Sequence, residues 1–171
     1  MKIDVKKGGK DLAFIAIMAS LLIVGKFALS FIPNIEVVTT LVICFGVLFE
    51  FKILFATLVF CVVDIFIYPP SLDVIISYFI YWNLLSIIVS SLSYLKIENF
   101  NVYLIIGVSM TAFFGVITSF TTSVIMGLPF YAVYVSGLLY YALHVVSTLA
   151  FMLVGFKPIV KVLKNVEGNK I

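Results

Sequence analysis

Three ionisable side chains lie within long apolar runs and carry most of the chain's chemical potential: Lys26, Asp64 and His144. A charge at membrane depth costs about 2.5 to 3.5 kcal/mol on insertion scales, so each should have a partner or face a cavity. Lys26 and Asp64 are expected either to pair with each other or to share a polar ligand. Polar and small residues recur around them at three- and four-residue spacing, which places them on single helix faces. One such face is Tyr134, Gly137, Tyr141, His144 and Thr148, and another is Thr57, Cys61, Asp64 and Tyr68. Tyr78, Tyr81, Trp82 and Asn83 form a third cluster. At a common depth, these residues would line an aromatic, partly charged pocket for a small molecule, opening outward.

Each of these readings has a plainer competitor. Tyr and Trp near the outer end of a span can serve as an interfacial belt, which applies to Tyr68, Tyr78, Trp82 and Tyr131. His144 is the chain's one histidine, and a hydrogen-bonded interhelical role suits it better than metal ligation. Gly107, Thr111, Gly115 and Thr118 read first as a close-packing seam, as do Asn83, Ser86, Ser90 and Ser93.

Catalysis is not expected. The sequence has no H-E-x-x-H, no G-x-S-x-G, no Walker loop and no arginine to clamp a phosphate. Serine and threonine hydroxyls without a nearby base are poor nucleophiles, and His144 alone does not supply one. Cys44 and Cys61 lie in apolar segments and read as buried thiols, without metal-site spacing. No cofactor, no metal site and no nucleic-acid partner is expected. Any uphill transport would need energy from a partner or an ion gradient.

The elements that must position these residues follow from composition. With 171 residues, 64% hydrophobic and 11% charged, and a mean hydropathy of +1.27, the chain falls outside soluble globular usage. An all-α polytopic membrane protein is expected, with six transmembrane helices forming a single membrane domain over 1–171. The spans are about 12–31, 34–49, 52–68, 72–94, 102–126 and 131–154. The Glu50-Phe51-Lys52 interruption divides a run too long for one crossing. Pro69-Pro70, Gly127-Leu128-Pro129, and Gly155 with Pro158 mark later stops. The second span is short enough to be little tilted or partly re-entrant.

Lysine distribution sets the orientation. Lys2, Lys6, Lys7, Lys10, Lys52, Lys96, Lys157, Lys161, Lys164 and Lys170 all fall on the side holding both ends, and Lys26 alone does not. That side is expected to be cytoplasmic. The opening MKIDVKKGGKD reads as a retained cytoplasmic tail in a multi-pass cell-membrane protein. The outer loops are then 33–36, 69–73 and 127–130. In the first, Asn34 can cap the following helix and Glu36 can sit by its positive end, with both overlooking the pocket.

An alanine-rich first helix (LAFIAIMAS), a Pro-Asn-Ile-Glu loop leading into VVTTLV, and aromatic outer halves on later helices give a likeness to a known family. The chain resembles the substrate-binding S component of an energy-coupling factor (ECF) transporter, an importer of the ABC type. That resemblance implies uptake of a vitamin or vitamin precursor, bound under the first outer loop by helices four to six. It also implies a transmembrane coupling subunit and two ATPase subunits as partners. The family's docking motif is Ala-x-x-x-Ala; here the nearest match is Ala16-x-x-x-Ser20, with Ala13 and Ala19 alongside. The competing class is an MreD-like membrane scaffold without a solute ligand, which gives no reason for Lys26, Asp64 and His144 to converge. An intramembrane enzyme would need a nucleophile and base that cannot be assembled.

Overall fold

Six helices account for nearly all of the described chain: α1 (Val5–Leu29), α2 (Val38–Phe49), α3 (Lys52–Ile67), α4 (Leu72–Tyr94), α5 (Phe100–Met126) and α6 (Phe130–Gly168). The structure is a computed structural model and describes residues 5–32, 35, 37–67 and 69–168. Helix is what such a composition demands, because lipid offers no partner for backbone N–H and C=O groups, which must therefore be satisfied within the segment. α1, α4, α5 and α6 are each long and apolar enough to cross a membrane. The chain is an all-α membrane protein.

α2 is the hub of the bundle. Its 12 residues span about 18 Å, short of the roughly 30 Å hydrocarbon core. Nine of the 12 are buried, among them Thr39, Thr40, Ile43 and Phe45. It touches all five other helices, which follow one another around it in the order α1, α3, α4, α5, α6. Among the described residues the backbones of α1 and α6 do not approach each other closely, so the arc is open between them. A shallow apolar groove there has Leu41 and Phe45 of α2 among its lining residues.

The connections follow local chemistry. α2 and α3 are joined by Glu50 and Phe51 alone, with Glu50 at φ 48° and its N–H bonded to the Gly46 carbonyl. Asn99 caps α5 by accepting from the Asn101 N–H, so that the helix starts at Phe100, two residues earlier than expected for that span. Gly127 ends the helix at φ 67°, a left-handed conformation that glycine adopts without steric cost.

Two expectations are corrected. α2 begins at Val38, so Val37 rather than Asn34 holds its N-cap position, and no side chain caps it. α6 does not stop at Gly155 and Pro158 but runs through both. Pro158 is exposed, so only a backbone bond is forgone there, while Met152 and Phe156 are buried and hold the helix against the core.

The Lys52 ammonium lies 2.7 Å from an Asp11 carboxylate oxygen, and the Lys157 ammonium lies over the Phe100 ring at 5.6 Å. With the Phe51 and Tyr94 rings 6.4 Å apart, these contacts put the start of α1, the α2–α3 and α4–α5 connections and the late part of α6 at one end of the bundle.

Candidate functional site

At the other end, near the last turns of α1 and α3, the Lys26 ammonium stands 2.6 Å from both Asp64 carboxylate oxygens. The pair is mostly shielded, with side-chain exposures of 20% and 7%. An ion pair in an apolar medium needs further polar or polarisable neighbours to offset desolvation. Aromatic faces supply them: the ammonium is 4.6 Å from the Tyr78 ring centroid and 5.9 Å from that of Phe60.

Trp82 completes this group. Its ring meets Phe60 edge-on at 5.6 Å and Tyr78 edge-on at 6.3 Å, both within the range for favourable aromatic pairs. It is 2% exposed, and its buried indole N–H has no hydrogen-bond partner among the described residues. A buried donor left unsatisfied costs about 1 to 3 kcal/mol, the kind of debt found at sites that a ligand completes. Burial also removes Trp82 from any interfacial belt.

Tyr81 behaves differently. It is fully buried, and its hydroxyl lies 3.2 Å from Thr39 and 3.4 Å from Thr111. Thr111 in turn shares a 3.1 Å hydrogen bond with Thr148, so α2, α4, α5 and α6 are stitched by one polar chain. On α4, Asn83 donates to the Phe79 carbonyl at 2.7 Å while its buried side-chain oxygen has no hydrogen-bond partner among the described residues.

The α6 residues form a second group. The Tyr134 and Tyr141 rings lie 5.7 Å apart, tilted by 31°, and the Tyr141 hydroxyl is 2.9 Å from Ser119 of α5. Gly115 makes room for that ring: a Cβ there would come within 2.6 Å of Tyr141. These residues belong to the α5–α6 seam rather than to the Lys26 group. His144 is buried, with its ring edge-on to Phe114 at 5.5 Å. Phe114 also touches Tyr78 and Tyr81, so it is the link between the two groups. Thus the expected single pocket wall is divided into two aromatic sets that meet at Phe114.

Asn34 and Glu36 lie outside the described residues, as does Tyr68. Of the four docking candidates, Ala13, Ala16 and Ser20 are exposed on α1. Ala19 is a correction: it is 2% exposed and packs in the core with Met18 and Leu22, at the edge of the α1 surface that meets α2 and α3, where a residue about 60° round from Ala16 is already covered.

Reading the sequence missed Asp73 and Phe114. Asp73 was assigned to an outer loop, yet it occupies the first turn of α4, is 4% exposed and accepts a hydrogen bond from Thr122. Its usable signal is an acidic residue two positions after a serine at a helix start. Phe114 had none, being one phenylalanine among 17.

No protein-family model, no curated protein and no solved structure matches this chain.

Proposed function

We propose that the protein is a membrane-embedded substrate-binding subunit of the ECF S-component kind, capturing a flat, polar-edged small molecule such as a vitamin or vitamin precursor. The carrying observation is the Lys26–Asp64 pair set against Tyr78, Phe60 and Trp82, with the Trp82 N–H buried and unsatisfied. A cation, a carboxylate, aromatic faces and a spare donor are the groups that recognise a heteroaromatic ring with polar substituents. On this reading both termini are cytoplasmic, following the lysines, and the site faces outward. The exposed Ala13, Ala16 and Ser20 give a small-residue strip on which a coupling subunit can dock, with two ATPase subunits behind it.

One observation favours the scaffold alternative: Tyr81 is fully buried, with its hydroxyl already bonded within the protein. A thermal-shift screen of the purified protein against B vitamins and their precursors separates the two. The binding reading expects at least one compound to raise the melting temperature at one-to-one stoichiometry. Failure of every compound, with no small molecule carried through purification, would leave the scaffold reading in its place.

A further inference from the structure

At the end of the bundle away from Lys26, Lys96 and Lys164 border a cleft of about 200 Å³ between the α4–α5 connection and α6. Its floor includes the buried Tyr103 and Phe156. A second hollow of about 340 Å³ adjoins it, sharing Phe156, Val160 and Lys164 and adding Lys157 and Lys161. Among the described residues Glu98 is the one carboxylate at the rim, against four ammonium groups. None of the four lysines is ion-paired among the described residues.

Two further features set this cleft apart from an ordinary solvated lysine fringe. Lys96 sits at φ 57°, a left-handed conformation that side-chain-bearing residues adopt at a steric cost. It occupies the position after the α4 cap where glycine is the usual residue, with its N–H bonded to Ser93 and the next N–H to Leu92. The fold thus tolerates backbone strain while keeping an ammonium at the cleft mouth. Secondly, Val146, Leu149 and Leu153 are exposed on α6 at spacings that carry them onto the same face as Lys157 and Lys164. That face is an apolar stripe ending in cations.

We infer that this cleft is a binding site for an anionic phospholipid, with its phosphate among Lys96, Lys157, Lys161 and Lys164 and an acyl chain along Val146, Leu149 and Leu153. Basic pockets between helices at the headgroup level are suited to this, and lysine stems can lie on apolar surface while their heads meet the phosphate. The inference depends on the membrane setting alone and not on the solute bound at the other end.

The test is native mass spectrometry of the purified protein in detergent, titrated with phosphatidylglycerol or phosphatidylcholine, with inorganic phosphate as a soluble competitor. Phosphatidylglycerol should be retained at least fivefold better, since each surface lysine contributes a factor of about five, the equivalent of about 1 kcal/mol. The triple variant Lys157→Gln, Lys161→Gln, Lys164→Gln should lose that preference, and the corresponding arginine variant should keep it. Lys96→Gly should weaken retention while leaving the melting temperature unchanged or higher, because it relieves the backbone. Equal retention of the two lipids, or undiminished preference in the glutamine variant, would overturn the site. Displacement by inorganic phosphate alone would overturn the lipid as its occupant, and a lower melting temperature for Lys96→Gly would remove Lys96 from it.

Discussion

Lys26 and Asp64, 38 positions apart in sequence, form an ion pair that ties α1 to α3 with 2.6 Å between the ammonium and each carboxylate oxygen. Its shielding makes the two partners interdependent. Removing one strands the other in an apolar environment, at a cost of about 3 to 5 kcal/mol, whereas replacing both with apolar groups is often close to neutral. Lys26→Met and Asp64→Asn should each lower stability in a detergent unfolding titration. The double variant Lys26→Met/Asp64→Leu should recover most of it. If the pair also contacts a ligand, the double variant regains stability without regaining binding, and that split distinguishes a recognition site from a structural clasp.

The α5–α6 seam should be intolerant of small additions. A Cβ at Gly115 meets the root of the Tyr141 ring at 2.6 Å, and one at Gly137 meets its tip at 2.5 Å, so the ring is boxed from both sides. Gly115→Ala should destabilise by about 1 to 3 kcal/mol through overpacking. Adding Tyr141→Ala should relieve the clash, making the pair of changes less costly than their sum. Tyr141→Phe alone should cost about 1 kcal/mol, from the lost contact with Ser119. Unfolding midpoints of the four proteins decide the matter.

On α1, two alanines three residues apart should respond in opposite ways. Ala16 is exposed and Ala19 is 2% exposed. If the proposed function holds, Ala16→Trp should leave folding and solute binding intact while abolishing co-purification with a coupling subunit and hence uptake. Ala19→Trp should prevent folding, because nothing in the core can make way for an indole. Retained uptake in Ala16→Trp would place the docking face elsewhere.

How much of this could be read from sequence varied with the size of the energetic penalty involved. Lys26 and Asp64 announced each other because a lone charge in lipid is costly, and few partners were on offer. Helix positions were legible for the same reason, since lipid forces every backbone group into helix. What could not be read was packing direction. Tyr81 and Trp82 are neighbours with similar side chains, yet one is bonded to Thr39 and the other keeps an unsatisfied donor. Nor could the central place of α2 be seen, because a 12-residue apolar helix looks the same at the edge of a bundle as at its centre. Gly155 and Pro158 misled for a related reason: burial of Met152 and Phe156 outweighs one missing backbone bond.

Trp82 offers the most direct optical test, because it is the one tryptophan in the chain. Its ring is held edge-on by both Phe60 and Tyr78, and it is 2% exposed, so free protein should show the blue-shifted emission of an indole in an apolar shell. A ligand that accepts a hydrogen bond from Nε1 would satisfy a donor now buried without one, shifting that emission saturably at one-to-one stoichiometry. Phenylalanine at this position keeps an aromatic ring but removes the donor. Trp82→Phe should therefore leave stability within about 1.5 kcal/mol of the parent, as a near-conservative core change, while weakening affinity about tenfold, the equivalent of about 1.4 kcal/mol. Calorimetry measures the affinity and fluorescence the contact. Binding seen by calorimetry with no change in emission, and with equal affinity in Trp82→Phe, would mean that the ligand seats elsewhere and that the Trp82 donor is merely an imperfection of packing.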